Sequence, residues 1–332
     1  MKALILAAGF GTRMKPLTDE IPKPLIPILN IPVIEYNIYF LKKYGVREFF
    51  INLHHKGGHI SDYLGDGSRF GVKISYLRES EILGTGGAIA NLKNFVDSTF
   101  IVINSDTIFN FNLEEMMDLH FSRKNLVTLG VVPADSADRR AVVTVNEEKI
   151  ICRMLSKSFS HPIPAGNTIF TGLHIIEPKL LEYIPAGVFV SITDYVYSRM
   201  VDAHEKINGF LINGDWWDIG TPDAFFDCNF ELLQKLPDYI ELFTKTEMPG
   251  NLVSKENGIV LGAFTQIPAV PVNSPVVLGS GVKFPNATAI GPKLIAAENV
   301  FSEEKKVFEN SIYVTGTDAN RHIRTTKGLI YY

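Results

Sequence analysis

Within the first 130 residues, five short apolar runs alternate with longer stretches of helical spacing, and nothing else in the chain restricts its fold as strongly. KALILA (2–7), EFFINL (48–53), VKISYL (72–77), FIVINS (100–105) and LVTLGVV (126–132) read as buried strands. PVIEYNIYFLKKYG, HISDYLG, GGAIANLKNFV and LEEMMDLHFSRK read as the helices between them. Such repetition predicts an α/β fold, a Rossmann-like, mostly parallel sheet with helices on both faces. Open sheets of this kind take their ligands at the C-terminal ends of the strands, which makes the turn after the first strand the expected phosphate site.

From about 140 to 220 the pattern grows richer in strands, with AVVTVN, KIICRML, NTIFTGLHII and INGFLING, and one helical stretch, ITDYVYSRMVDA. TPDAFFDCNFELLQKL then opens on a threonine cap followed by proline and an acidic first turn, a helix start that Pro237 closes. Phe225, Phe226 and Phe230 on that helix are expected in the core. Beyond about 249 a six-residue spacing sets in, led by Leu278, Phe284, Ile290 and Ala296, with Val282, Thr288, Leu294 and Val300 four residues behind each. Hexads suit a short left-handed β-helix-like segment, and four of them make little more than one coil. The expected division is a domain over 1–240 and a short C-terminal domain over 250–332. The tail is expected to pack on the first domain or on another subunit, as a homo-oligomer.

Charge and cysteine content exclude several classes. Thirty-two basic against 36 acidic residues leave a formal charge of −4, with no basic stripe to hold a nucleic acid. Two cysteines, Cys152 and Cys228, make neither a disulfide framework nor a zinc pair. The first apolar run reaches glycines and an arginine too soon for a signal peptide, and no apolar run is long enough to span a membrane. A cytoplasmic protein is the expectation.

The strongest local signal is LAAGFGTRMKPLTDEIPKPLIPI at 6–28. Gly9 and Gly11 let backbone N–H groups approach a phosphate chain as an anion nest, and Arg13 and Lys23 add fixed positive charge. The Walker spacing GxxxxGK[ST] is absent, and Met14 stands where a dinucleotide fingerprint needs its third glycine. The strand ending at His54-His55 also lacks the carboxylate that holds a ribose, which disfavours an NAD-dependent oxidoreductase.

This string resembles the signature of the sugar-1-phosphate nucleotidyltransferases, and the likeness continues in order through YLGDGSRFGVKISYLRE (63–79), LGTGGAI (83–89), NSDTIF (104–109), FTGLHII (170–176) and WWDIGTP (216–222). GDGSRFGV with Glu79 is most similar to the N-acetylmuramate-1-phosphate uridylyltransferase branch, and mannose-1-phosphate guanylyltransferases share most of the strings. The resemblance implies the nucleotide-diphospho-sugar transferase fold and a reaction between a nucleoside triphosphate (UTP slightly favoured, GTP or CTP open) and a sugar 1-phosphate, with Mg²⁺ as cofactor. It implies that Arg13 clamps the leaving pyrophosphate and Lys23 bridges phosphate oxygens. Asp106 and Asp218 are implied as the Mg²⁺ ligands. Ala7, Ala8, Gly9, Gly11 and Thr12, with Gly84, Thr85 and Gly86, are implied around the nucleotide. Glu79, Thr171, Gly172 and Asp194 are implied near the sugar, Asp194 having a helix cap as its alternative role.

Attack by a phosphate oxygen on the α-phosphorus needs no strong base, because the nucleophile is already an anion. The barrier lies in positioning two polyanions and neutralising the leaving group, which calls for cations, N–H donors and Mg²⁺. One departure stands out. Where many relatives carry an acid followed by Lys-Pro, this chain reads Leu155-Ser156-Lys157-Ser158. His55 and His59, four apart in HHKGGH, read as a solvated loop in preference to a zinc pair. The competing functional reading is an inactive nucleotide-binding or partner subunit of the same fold. The intact set of Arg13, Lys23, Asp106 and Asp218 disfavours it.

Overall fold

A computed structural model describes residues 1–15, 17–134, 142–154, 157–158, 167–203 and 205–235, and beyond these only Lys283 and the short strands of the tail. The strands through residue 218 are β1 (Lys2–Leu6), β2 (Pro27–Ile28), β3 (Ile31–Pro32), β4 (Glu48–Leu53), β5 (Lys73–Arg78), β6 (Phe100–Asn104), β7 (Thr107–Asn110), β8 (Val127–Pro133), β9 (Val142–Val145), β10 (Ile151–Met154), β11 (Lys157–Ser158), β12 (Thr168–Ile176), β13 (Ile207–Leu211) and β14 (Asp215–Asp218). The helices are α1 (Leu17–Glu20), α2 (Val33–Lys43), α3 (Gly57–Leu64), α4 (Gly84–Ala90), α5 (Leu113–Arg123), α6 (Ser198–Asp202) and α7 (Pro222–Gln234). All five strands expected in the first 130 residues are present, as β1, β4, β5, β6 and β8. The chain divides into two compact units, residues 1–10 with 37–218 and residues 11–36 with 219–332.

In the first unit β5, β4, β1 and β6 lie side by side and parallel. The runs of β1, β4 and β6 are mostly apolar because both faces are covered, and Leu4, Ile5, Ile51, Val102 and Ile103 are fully buried, whereas the outer strand β5 is only partly covered. The chain builds from β1 outward to β4 and β5, then returns to add β6 on the other side of β1. Strand order therefore reverses at β1, the kind of switch point where open α/β sheets bind ligands. Beyond β6 the sheet turns antiparallel through β12, which pairs with both β8 and β9, and β13 joins β8 in parallel.

Helix ends follow their local chemistry. Asn112 caps α5 by accepting from Glu114 N–H, Glu114 and Glu115 complement the first turn, and Lys124 at φ 53° stops it. The expected helix over 86–96 is shorter and earlier, ending at Ala90 in a run of turns. ITDYVYSRMVDA is one turn of π-helix (Ile192–Tyr197) running into α6. HHKGGH is not wholly a loop, since α3 starts at Gly57 and takes in His59.

Two histidines lie in this core. His174 on β12 pairs through Nδ1 with the Tyr197 hydroxyl and meets the Phe170 ring edge-on at 4.7 Å, and complete burial pushes its pKa down to about 3. His120 sits between Thr128 Oγ1 (2.9 Å) and Glu177 (3.1 Å), and burial lowers its pKa although Glu177 opposes the shift. A depressed folded pKa means folding favours the neutral ring, so this stability is complete above the unfolded value near 6.5 and is lost as pH falls below it. Urea unfolding free energy should therefore decline below pH 6.5, by up to about 1.4 kcal/mol per pH unit for each such ring. A His174→Gln variant should show a flatter profile; an equal slope would remove His174 from the account.

In the second unit β2 and β3 form a two-residue hairpin through Leu29 and Asn30, both at positive φ (49° and 65°). Helix α7 starts where expected, with Thr221 Oγ1 accepting from Ala224 N–H and Pro222 at the first turn, and Phe225, Phe226 and Phe230 are buried. Seven of the described tail strands form a ladder, parallel apart from its two end strands, and residues 289–290 and 307–308 pair separately in parallel. Successive partners are Ile259 and Val276, Val276 and Leu294, Leu294 and Ser311, Ser311 and Ile330, steps of 17–19 residues. Leu278 pairs with Ala296 three hexads on, so the ladder has more rungs than the four leading positions suggested. Phe284, Val282, Thr288 and Val300 lie outside the described residues.

Candidate active site

The switch point at β1 carries the start of the glycine loop. Ala7 N–H donates to Asn52 Oδ1 (2.8 Å), and Asn52 Nδ2 donates to Glu79 Oε1 (2.8 Å). The other Glu79 oxygen accepts from Leu83 N–H (3.1 Å), and the Glu79 carbonyl accepts from His54 Nδ1 (3.0 Å). The buried Asn52–Glu79 pair thereby ties the loop after β1 to the turn before Gly84. Ala7 and Ala8 are buried, whereas a side chain at Gly9 would meet no atom within 4 Å. Phe10 is half exposed and faces the rings of His54 and His55 at 5.8 and 5.3 Å.

Gly84, Thr85 and Gly86 open α4, and their residue types answer to the segment crossing them. Gly84 has φ +72°, and a Cβ there would stand 2.6 Å from the Val190 carbonyl oxygen; one on Gly86 would stand 2.8 Å from Val190 Cγ1. Gly86 N–H donates to Val190 O (2.8 Å), and Thr85 Oγ1 accepts from Ile192 N–H (3.0 Å). Ser191 caps the following helical turn by accepting from Asp194 N–H, and its hydroxyl donates to Asp194 Oδ2 at 2.6 Å. Asp194 thus belongs to the cap, with its carboxylate exposed.

The strand reading missed the arrangement that brings Asp218 to the strand following Asp106. β7 and β14 form a two-stranded antiparallel ribbon in which Asp218 lies opposite Thr107, the residue after Asp106. Just before it, the Asn104 carbonyl accepts from Asn37 Nδ2 (3.1 Å) and Thr107 Oγ1 (3.0 Å), fixing the end of β6. Gly172, at φ +81° in the β12 irregularity, leaves room for Asn104: a Cβ there would sit 2.2 Å from Asn104 Nδ2. Thr171 Oγ1 donates to Gly130 O at 2.8 Å. Neither TIFN nor DWWD is long enough to announce the ribbon, although aromatic and β-branched content marks both.

Two carboxylates, with no group of three ligating side chains among the described residues, suit a Mg²⁺ that keeps water and substrate phosphate as its other ligands. His55 and His59 join no such group.

Gly11, Thr12, Arg13 and Lys23 belong to the second unit. Gly11 takes φ +65° and its carbonyl accepts from Met14 N–H and Thr18 Oγ1, both at 2.9 Å. A Cβ on Gly11 would press on Thr18 Cγ2 (2.9 Å) and Lys23 Cβ (3.2 Å), so the glycine permits the loop to close on the lysine. Thr12 and Arg13 are exposed, and Lys23 is half-buried at the head of a 3₁₀ turn over Lys23–Leu25. Lys157 starts β11; Leu155 and Ser156 lie outside the described residues.

A parallel core whose strand order switches at β1, with the residues Ala7–Gly9 following that strand, defines an α/β protein of the kind that takes ligands at the switch point. The family model described as nucleotidyl transferase matches residues 2–235. A UTP–glucose-1-phosphate uridylyltransferase of Synechocystis sp. is 28% identical, over 94% of this chain and 84% of its own. A mannose-1-phosphate guanylyltransferase of Mycobacterium tuberculosis is 30% identical over 70% of this chain and 64% of its own. Among solved structures, HddC from Yersinia pseudotuberculosis superposes with a TM-score of 0.59 at 26% identity, covering 70% of this chain and 99% of that one. UDP-glucose pyrophosphorylase from Acinetobacter baumanii has the same fold, with a TM-score of 0.60 at 18% identity over 74% of this chain and 99% of its own. The chain belongs to the sugar-1-phosphate nucleotidyltransferase family.

Proposed function

We propose that this protein transfers a nucleotidyl group from a nucleoside triphosphate to a sugar 1-phosphate, giving an NDP-sugar and pyrophosphate. The observation that carries the reading is the β7–β14 register, which sets Asp218 opposite the residue following Asp106 at the end of β6. A sugar-phosphate oxygen attacks the α-phosphorus, the bond from that phosphorus to the bridging oxygen breaks, and pyrophosphate leaves with the electron pair. No proton moves. Arg13 and Lys23 neutralise the phosphates while charge gathers on the leaving group. In this reading Ala7–Gly9, Gly11, Thr12 and Gly84–Gly86 are assigned to the nucleotide and Glu79, Thr171 and Gly172 to the sugar, while Asp194 belongs to the helix cap. When bound by Asp106 and Asp218, Mg²⁺ would neutralise phosphate oxygens and hold them in line.

Residues 1–240 form the transferase domain in this reading, consistent with the match over 2–235. The 17–19-residue ladder steps support a β-helical tail over 250–332, about three hexads to a rung. UTP is the favoured nucleotide, in keeping with the uridylyltransferase likeness over 94% of the chain. A cytoplasmic setting belongs to this reading, in keeping with Cys152 and Cys228 being buried thiols not joined in a disulfide. The test is pyrophosphate release with Mg²⁺ across UTP, GTP and CTP against glucose, mannose and N-acetylmuramate 1-phosphates. Release is expected with UTP above the others. Silence across the matrix, with nucleotide still bound, would hand the protein to the binding-subunit reading.

A further inference from the structure

The Leu29–Asn30 turn is held from two sides within the second unit. Leu29 N–H donates to Asn229 Oδ1 of α7 (2.9 Å), while Asn229 Nδ2 donates to Phe225 O (2.9 Å). Asn30 Nδ2 donates to the carbonyl of Leu278, a fully buried rung of the tail ladder, also at 2.9 Å. From the first turn of α2, Tyr36 Oη donates to Ile28 O at 2.9 Å. Two-residue hairpins with both φ values positive favour Asn-Gly, and a leucine in that region is strained. Such a turn persists where its surroundings over-determine it, and here α7 and the tail do so.

The hairpin continues directly from the lysine. Lys23 opens the turn over Lys23–Leu25, Ile26 N–H donates to the Lys23 carbonyl (3.1 Å), and Val33 N–H donates to Ile26 O (3.1 Å) to close the hairpin base. Lys23 in turn lies against the space that Gly11 leaves open. A continuous run of bonded backbone therefore leads from Leu278 through Asn30 to Lys23.

We propose that the C-terminal ladder is a positioning element for Lys23, acting through the hydrogen bond from the Asn30 carboxamide to the Leu278 carbonyl. This rests on the reading of Lys23 as the phosphate-binding lysine. Loss of the bond lets the hairpin shift, and a small misplacement of a charge that must meet the leaving group is felt mainly in turnover. Asn30 touches no substrate in this account.

The test uses the full-length chain with Asn30→Gly, which keeps the turn's backbone freedom, and Asn30→Asp, which removes the donor at equal size. Two readouts are followed: steady-state pyrophosphate release, and the rate at which an amine-acylating reagent labels Lys23, read by peptide mass. Both variants are expected to lose roughly tenfold in kcat with KM for sugar 1-phosphate unchanged. Lys23 labelling should change severalfold while labelling of Lys42 stays put. Should either variant fail to fold, the other carries the test. Wild-type turnover and wild-type Lys23 labelling in a folded variant overturn the proposal, whatever the thermal midpoint does. If the unaltered protein releases no pyrophosphate at all, the transferase reading fails, and Lys23 labelling alone decides whether the tail positions this side chain.

Discussion

Replacing Lys23 with alanine is expected to lower kcat for pyrophosphate release by about 10²–10³-fold, the range seen when a preorganised donor facing transition-state charge is deleted. Lys23 is half-buried at the head of a short turn, so its removal should leave the thermal unfolding midpoint close to that of the wild type. Asp106→Asn should match the fall in turnover and also raise the Mg²⁺ concentration needed for half-maximal rate, because one of two carboxylates is gone. Side-by-side Mg²⁺ titrations separate the two roles. Near-wild-type turnover in Lys23→Ala would refute the phosphate role, and an unshifted Mg²⁺ requirement in Asp106→Asn would refute the metal role.

The second large effect belongs to Gly172→Ala. The new methyl would lie 2.2 Å from Asn104 Nδ2 and 2.5 Å from its Cγ, on a backbone at φ +81°. Strained backbone and overpacking together should cost about 2–5 kcal/mol in chemical denaturation. Activity should fall as well, because Asn104 ends the strand that leads to Asp106. Asn104→Ala in the same chain should recover part of the stability, giving a non-additive double-mutant cycle. Additive losses would mean that the two residues do not compete for this space.

The parallel core was legible because buried strands carry apolar runs, so β1, β4 and β6 fall where KALILA, EFFINL and FIVINS stand, and the partly covered β5 falls on VKISYL. Thr221 as a cap was legible for the same kind of local reason, since its hydroxyl and the following proline act within one turn. Other features depend on distant partners. GTGG resembles a ligand loop, yet the space its glycines leave is filled by Val190, more than a hundred residues away, and no local pattern could say so. Glu79 likewise reads as a residue near the sugar, while the fold engages both its oxygens with Asn52 and Leu83. The Leu29–Asn30 turn lacks the glycine that would have marked it, and only tertiary bonds account for it.

The β7–β14 ribbon also bears on the order in which this protein becomes competent during synthesis. Asp106 leaves the ribosome more than a hundred residues before Asp218, and Asp218 comes to lie opposite Thr107 only when Asp215–Asp218 zips onto Thr107–Asn110. Closing so long a loop carries an entropic penalty that must be met before the ribbon's own contacts repay it. A nascent chain therefore has the residues of its parallel strands well before it can form this ribbon. Completion of the ribbon is thus a late event of synthesis, set by topology alone.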